Sequence, residues 1–269
     1  MNRIPDVLYQ SQHSSTWLIV GASRGIGLEF VKQFLARGDR VLATVRDPTG
    51  VHTSGLWGQA GSDHGRCQMF QCDVLSEESI NGFVSQLAEI PNLRIDYAVL
   101  NAGVLRYPNT SSVSCVGTRL RTDSSFTDFA FHLHTNTIGP IICAQRLLKT
   151  MIPIGSIVFT SSDSGSAQNF REMEDGFAAY AASKAALNQS LRHMAAELRR
   201  KDDKTTILAM HPGEVATDMA NINLGWEVEG IISAEVSVGA MITVITSKGP
   251  EHSGTFWTWA KQRAQQYPW

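Results

Sequence analysis

Tyr180 and Lys184 are the two residues whose types and spacing most directly indicate chemistry. They are four positions apart, so on a helix they share one face about one turn from each other. A tyrosine titrates near pH 10 in isolation, which is too high for easy proton exchange at pH 7. A neighbouring ammonium group stabilises the phenolate and lowers the pKa of the phenol, which lets the tyrosine act as a general acid. Because helices also carry such pairs by accident, the meaning of this pair depends on the segments around it.

A glycine-rich segment, GASRGIG at residues 21–27, indicates a second kind of chemistry. It joins an apolar run, 16–20, to a helical pattern that ends near Gly38. A backbone that turns tightly and approaches a diphosphate closely needs glycine, and the N-terminus of a helix favours phosphate charge. An ordinary tight turn is the alternative, but the strand-to-helix context predicts a nucleotide-binding loop.

The elements that must position these groups alternate along the sequence. Short apolar runs predict strands at 16–20, 40–45, 67–72, 95–100, 156–160, 205–210 and 254–257. Apolar residues at helical spacing predict helices at 26–38, 77–90, 124–150, 177–200 and 234–246. This alternation predicts a single α/β domain, 16–269, of the doubly wound Rossmann type after an N-terminal extension, 1–15. We expect a parallel sheet of six to seven strands with helices on both faces, and substrate-bordering loops at 163–176 and 213–233.

The composition excludes several classes of partner. The 269 residues include 23 Lys and Arg against 25 Asp and Glu, and the net charge of −2 gives no reason to expect nucleic acid or an anionic membrane. There is no run of about 18 apolar residues, so we expect no membrane span. The four cysteines lack CxxC spacing, which predicts reduced thiols and a cytoplasmic location. His132 and His134 point to different faces of a predicted helix, so we expect no metal site.

Motifs in a fixed order along almost the whole chain resemble the short-chain dehydrogenase/reductase family. The glycine spacing of 21–27 is that of the family, and its cofactor-contacting positions are Gly21, Ser23, Arg24, Gly25, Ile26 and Gly27. Further matches are an adenine-pocket pair, an NAG motif, a catalytic tetrad and a turn over the nicotinamide. These are Asp73, Val74, Asn101, Ala102, Gly103, Asn136, Ser162, Tyr180, Lys184, Pro212, Gly213, Val215 and Thr217. Within the family, stretches such as 136–140 and 211–219 are similar to the C-factor and sniffer-type carbonyl reductase branch.

The resemblance implies hydride transfer between a nicotinamide cofactor and a small carbonyl or alcohol substrate. It implies that Tyr180 protonates the carbonyl oxygen, that Lys184 also holds the nicotinamide ribose, and that Asn136 holds a water connecting the lysine to solvent. Ser162 is implied to hydrogen-bond the carbonyl, because the serine of the family is the second of a pair after the fifth strand. Residue types alone do not separate it from its neighbours Ser161, Ser164 and Ser166. Relatives associate through two long helices, which implies a homodimer or homotetramer.

The choice of cofactor depends on charge after the second strand. An acidic residue there accepts hydrogen bonds from a free ribose hydroxyl, whereas arginine neutralises a 2′-phosphate. Val45 occupies the position where NAD-preferring relatives carry aspartate, and Arg46 follows it. With Arg24 in the glycine loop, two arginines favour NADP(H). Two solvated surface arginines are the alternative, and Asp47 is a mild counter-signal.

Two acidic residues depart from what we expect of the C-factor branch. Glu214 stands where that branch usually has tryptophan, and Asp163 directly follows the catalytic serine. With the charged run 171–175 they suggest, as one hypothesis, selection of a cationic, amine-bearing substrate. The alternative is that these charges are simply solvated.

Two other functions remain for the same fold. One is a non-redox step such as a cyclisation or isomerisation, and the other is a signalling protein that senses the nucleotide without turnover. The complete tetrad counts against both, because neither role requires Tyr180 and Lys184.

Overall fold

The computed structural model describes residues 14–50, 65–106, 124–220, 228–260 and 263–269. Most of the predicted N-terminal extension therefore lies outside the described residues, as does 221–227 of the second predicted substrate loop. Cys115 also lies outside them, whereas the other three cysteines are free thiols, as expected for reduced thiols.

Eight strands form one sheet. They are β1 (Thr16–Val20), β2 (Arg40–Val45), β3 (Cys67–Gln71), β4 (Ile95–Leu100), β5 (Ile154–Thr160), β6 (Thr206–His211), β7 (Thr255–Ala260) and β8 (Arg263–Gln266). Their spatial order is β3-β2-β1-β4-β5-β6-β7-β8. All neighbours are parallel except β7 and β8, which pair antiparallel. The predicted parallel sheet of seven strands is confirmed, and the eighth, antiparallel strand corrects the strand count.

Six α-helices accompany the sheet in the described residues. They are α1 (Gly25–Ala36), α2 (Glu77–Ala88), α3 (Phe126–Leu133), α4 (Gly139–Leu148), α5 (Ala178–Arg200) and α6 (Ala234–Thr246). The predicted long helix over 124–150 is confirmed, but it is not α-helical throughout, because α3 and α4 are joined without a break by a turn of π-helix, His134–Ile138. Such a turn widens the helix and re-aims its side chains, and π-turns are frequent at functional sites.

The core lies on both faces of the sheet, which is why the strands are almost wholly apolar. Along β1, Trp17 and Ile19 belong to the cluster on one face, whereas Leu18 and Val20 belong to the cluster on the other. All four side chains are buried. This alternation with period two anchors β1 at the centre of the sheet, between β2 and β4.

The strand order reverses direction between β1 and β4, because the chain runs outward from β1 to β3 and then returns to the other side. In open α/β sheets, ligands bind at such a switch point, outside the carboxyl ends of the strands. The glycine segment 21–27 follows β1 and the NAG motif follows β4, so both predicted cofactor motifs lie at this point. No helix in the part of the chain that the structure describes has the length and apolar character to cross a bilayer.

Candidate active site

The glycine loop packs directly on the NAG segment, which explains two of its glycines. Gly21 has φ +90°, and a Cβ there would lie 2.8 Å from the backbone of Ala102. A Cβ at Gly27 would lie 2.0 Å from the carbonyl oxygen of Gly21, the same oxygen that accepts a hydrogen bond from Asn101 Nδ2 at 3.0 Å. A side chain at either glycine therefore separates the loop from β4.

The first turn of α1 is suited to an anion. Helix α1 begins at Gly25 after Arg24, whose backbone is extended and whose side chain makes no capping hydrogen bond. The first turn of this described helix contains no acidic residue. Its backbone N–H groups and the positive end of the helix dipole thus remain available to a diphosphate, which is the group that the nicotinamide cofactors present. The loop fits such a cofactor.

The arginines predicted to select the cofactor lie on the surface. Arg24 Nη1 is 3.4 Å from Asp218 Oδ2, and both side chains are largely exposed. Arg46 follows β2 and is exposed, whereas Val45 is buried. Asp47 turns toward its own loop, where hydrogen bonds from the hydroxyl and backbone N–H of Thr49 lower its pKa. The convergence of Arg24 and Arg46 on one phosphate stays a prediction.

The predicted adenine-pocket pair lies just beyond β3. Asp73 Oδ1 accepts a hydrogen bond from the backbone of Leu75 at 3.0 Å. Val74 is buried against the start of α4, where a Cβ on Gly139 would lie 2.3 Å from the carbonyl oxygen of Val74. The close packing of α4 on this pair thus depends on glycine.

Asn136 holds the segment after the NAG motif. Its Oδ1 accepts from Val104 N at 2.8 Å, and its Nδ2 donates to Val104 O at 2.9 Å and to Ser183 Oγ at 3.0 Å. The side chain is fully buried, so it is not a polar residue on a solvated face. The π-turn that contains Asn136 aims it at the carboxyl end of β4.

His132, one turn earlier, also holds the segment after the NAG motif by a hydrogen bond to its backbone. Its Nε2 accepts from Arg106 N at 3.0 Å, and its Nδ1 donates to the carbonyl of Asp128 at 2.8 Å. Both ring nitrogens of His132 are therefore occupied by hydrogen bonds to the backbone. Together with Asn136, His132 fixes the segment that carries Leu105 into the cavity described below.

Tyr180 and Lys184 share one face of α5, as their spacing predicts. Lys184 Nζ lies 5.9 Å from the centre of the Tyr180 ring and donates to the carbonyl of Thr160 at 2.8 Å. Burial lowers the pKa of Lys184 to about 8. The pKa of Tyr180, by contrast, is raised by burial and by the carboxylates of Asp163, Glu214 and Glu174, against a smaller opposing effect of a hydrogen bond with Ser162.

The expected lowering of the phenol pKa is therefore wrong for the protein alone. Loss of hydration penalises a phenolate, and the facing carboxylates add repulsion. The phenol of Tyr180 thus keeps its proton at neutral pH, which is the state a proton donor needs.

The four candidate serines occupy different environments. Ser162 lines the same cavity as Tyr180 and lowers the pKa of the phenol by hydrogen bonding, and its Oγ donates to Asp163 Oδ1 at 3.2 Å. The hydroxyl of Ser161 instead donates to Asn188 at 2.6 Å, and that of Ser164 to Glu174 at 2.7 Å. The hydroxyl of Ser166 accepts from the backbone of Asn169. Ser162 is thus the serine that contacts Tyr180.

The turn after β6 lies against the glycine loop. Gly213 adopts φ +83° after Pro212, and Val215 forms a parallel bridge with Ile232. A Cβ built on Gly25 would lie 3.5 Å from Thr217, so the two cofactor motifs are in contact range across the switch point.

An ion-pair cluster centred on Arg171 borders this turn. Arg171 Nη1 lies 2.5 Å from Asp163 Oδ2 and 3.0 Å from Glu214 Oε1, and its Nε lies 3.1 Å from Glu174 Oε1. Burial tends to raise the pKa of Asp163, but the facing His211 and Arg171 hold that pKa below its usual value. Burial raises the pKa of Glu174. The carboxylates of Asp163, Glu174 and Glu214 are therefore ion-paired with Arg171 and are not simply solvated.

His211 is a packed residue, as expected. It is buried, its Nδ1 accepts from Asp163 N at 3.2 Å, and burial lowers its pKa.

A cavity of about 170 Å³ brings these groups together. Ser162, Tyr180 and the Arg171 cluster lie on its polar side. Its other lining residues include Ile26, Leu105, Phe177, Thr217, Met219 and Ile231. The cavity thus connects the glycine-loop helix, the Tyr180–Ser162 pair and both predicted substrate loops.

Residues 15–227 match the family model described as short chain dehydrogenase. The chain belongs to this family. An uncharacterized oxidoreductase of Schizosaccharomyces pombe is 30% identical over 258 residues, which cover 91% of this chain and 95% of the relative. The NADPH-bound carbonyl reductase from chicken fatty liver is 26% identical with a TM-score of 0.81, over 95% of this chain and 99% of that one. The carbonyl reductase Sniffer of Drosophila melanogaster has the same fold, with a TM-score of 0.77 at 22% identity over 96% of this chain and 100% of that one.

The site of this short-chain dehydrogenase includes residues that sequence reasoning missed. Arg171 and Glu174 were seen only as parts of a charged run, and His132 only as an unsuitable metal ligand. The single local signal is the i, i+3 spacing of Arg171 and Glu174, which permits an ion pair where the loop enters α5.

Proposed function

We propose that this chain is an NADP(H)-dependent carbonyl reductase that acts on small molecules. The observation that carries the proposal is the meeting of Tyr180 and Ser162 in one cavity, with Lys184 beside the ring of Tyr180 and the glycine loop at the cavity edge. Family membership supports the same reaction, since related folds of this family include an NADPH-bound carbonyl reductase.

The residues of the chain supply the proton and the orientation. When bound, NADPH supplies a hydride to the carbonyl carbon of the substrate. Tyr180 donates its phenolic proton to the carbonyl oxygen, so hydride and proton together convert the carbonyl to an alcohol. Ser162 donates a hydrogen bond to the same oxygen as negative charge develops there. In this proposal Lys184, whose pKa is about 8, returns a proton to Tyr180. A water held at Asn136 connects Lys184 to solvent.

The cofactor is held, in this proposal, by the motifs at the switch point. The N-terminus of α1 binds the diphosphate, the segment around Asp73 and Val74 borders the adenine, and Lys184 holds the nicotinamide ribose. Arg24 and Arg46 select the 2′-phosphate, because no acidic residue occupies position 45. The NADPH bound to the carbonyl reductase from chicken fatty liver supports this choice.

Asp163 and Glu214 are proposed to set the charge preference of the cavity. Among its described lining residues, the cavity has three carboxylates and one guanidinium, which is already paired with all three. The remaining negative charge disfavours an anionic substrate and favours a neutral or amine-bearing one. Replacing Glu214 with Gln and comparing KM for charged and neutral carbonyls tests this preference, which unchanged ratios would contradict.

We further infer a cytoplasmic homodimer or homotetramer. The small residues of α5, among which Ala182 is exposed and Ala181, Ala185 and Ala186 are half-buried, allow a second copy of the helix to approach closely. Light scattering on the purified protein tests the assembly, and a monomer would overturn it.

NADPH consumption over a panel of aldehydes, ketones, quinones and imines tests the activity, with Tyr180→Phe as the matched control. We expect reduction of at least one class, and a loss of about 10²–10⁴-fold in kcat in the variant. NADPH binding without reduction of any compound would contradict the proposal and favour the cyclisation, isomerisation or nucleotide-sensing alternatives.

A further inference from the structure

Arg171 connects three segments that meet at the candidate active site. Its partners are Asp163, in the turn after β5, Glu174, in the 3₁₀ turn Glu172–Phe177 that leads into α5, and Glu214, in the loop after β6. Only 31% of the Arg171 side chain is exposed, and those of Asp163 and Glu174 are 11% and 14% exposed. The Glu214 side chain is 37% exposed, so the burial argument applies to Asp163 and Glu174, which removal of Arg171 would leave without this counter-ion.

The cluster reaches Ser162 through Asp163. One carboxylate oxygen of Asp163 pairs with Arg171, while the other accepts from Ser162 Oγ at 3.2 Å and from Ser164 N at 2.9 Å. A carboxylate without a counter-ion is a stronger acceptor, so it would draw the Ser162 hydroxyl away from a substrate oxygen. Arg171 thus weakens the hold of Asp163 on the serine proton.

We propose that Arg171 is a positioning residue for the reaction, holding the two substrate loops against the entrance of α5 and leaving the Ser162 hydroxyl available to the substrate. This inference rests on the proposed reductase activity. Arg171 acts through Asp163, since it is Asp163 that contacts Ser162.

The cluster also controls the charge that faces Tyr180. In the part of the chain that the structure describes, the charged and titratable groups around the phenol are Asp163, Arg171, Glu174, Lys184, Glu214, His132 and His211. One oxygen from each of the three carboxylates lies within 4.8 Å of the other two, which is close for like charges. Arg171 is ion-paired with each of the three, so its loss exposes Tyr180 to their full repulsion.

The kinetic test compares Arg171→Gln with Arg171→Lys, and uses Arg94→Gln as a control for loss of an exposed ion pair outside the site. We expect Arg171→Gln to lower kcat by roughly tenfold or more, with partial recovery in Arg171→Lys. In alcohol oxidation, where Tyr180 accepts the proton, the half-maximal pH should rise in Arg171→Gln. In the double variant Arg171→Gln/Asp163→Asn, the half-maximal pH should return toward the wild-type value. A kcat and pH profile like those of wild type in Arg171→Gln would overturn the inference.

A second readout is independent of activity. Carboxylate oxygens suit Ca²⁺, so Arg171→Ala should gain thermal stability in CaCl₂ over matched NaCl, whereas wild type and Arg94→Gln should not. If wild type reduces no carbonyl, the proposed function fails, and this readout still shows whether Arg171 occupies the carboxylate cluster. If Arg171→Gln does not fold, Arg171→Lys and Asp163→Asn carry the kinetic test, and wild-type behaviour in both would overturn the inference.

Discussion

The Oγ of Ser162 lies 3.2 Å from the carboxylate of Asp163, the next residue in the chain. The serine that contacts Tyr180 thus has a buried, charged acceptor beside it. The carboxylate is itself shared with Arg171 and with the backbone of Ser164. This relationship links hydrogen bonding to the substrate with the electrostatics of proton donation, and it leads to the first prediction.

Asp163→Asn should lower the pKa of Tyr180, because Asp163 is one of the carboxylates that raise it. Tyr180 is then deprotonated more readily, so alcohol oxidation reaches half its maximal rate at a lower pH, by up to about 1 unit. Steady-state kinetics with NADP⁺ across pH measures the shift. The exposed Asp202→Asn serves as the control, and an unmoved profile in Asp163→Asn contradicts the prediction.

Lys184→Met should remove a pH-dependent part of the stability. Burial places the folded pKa of Lys184 at about 8, below its unfolded value of 10.5. The unfolded state therefore binds more protons between these values, so wild-type stability rises with pH across this window, and the penalty of burying the ammonium is fully present below about pH 8.

Chemical denaturation of both proteins from neutral pH to about pH 10 measures this effect. We expect the stability of Lys184→Met relative to wild type to fall by on the order of 2 kcal/mol as pH rises. The exposed Lys201→Met should show no such trend. A stability difference between wild type and Lys184→Met that stays constant across pH would mean that burial does not shift the pKa of Lys184.

Gly27→Ala should destabilise the fold by roughly 2 kcal/mol or more, because the new Cβ would lie 2.0 Å from the carbonyl oxygen of Gly21. Gly82→Ala is the matched control, since Gly82 lies within α2 and a Cβ there meets nothing within 4 Å. Helix propensity predicts that this control gains about 0.5–1 kcal/mol. Thermal melts measure both changes, and equal effects at the two glycines would refute the packing argument.

Arg46→Gln should raise KM for NADPH by about tenfold and leave KM for NADH nearly unchanged, since only NADPH carries the 2′-phosphate. Comparison of the two cofactors against one carbonyl substrate measures the selectivity. Arg40→Gln, at the opposite end of β2, controls for the loss of a surface charge. A parallel change in the KM values for NADPH and NADH would assign Arg46 a structural role.

The sequence by itself determined the local parts of this protein. Apolar runs and glycines act on their own neighbours, so the seven parallel strands, the glycine loop and the Tyr180–Lys184 face of one helix were all predicted. The eighth strand, Arg263–Gln266, was missed because it is a polar edge strand with no apolar run. The π-turn at Asn136 was missed because residue propensities do not distinguish it from an α-helix.

Only the tertiary structure decided the electrostatics of the site. Asp163 and Arg171 lie in one loop and Glu214 in another, and no residue pattern indicates that one guanidinium pairs with carboxylates from both loops. The spacing of Tyr180 and Lys184 predicted a lowered phenol pKa, yet the pKa is raised. The physical reason is that a pKa depends on burial and on every charge nearby in space, and folding brings those charges together from distant parts of the chain.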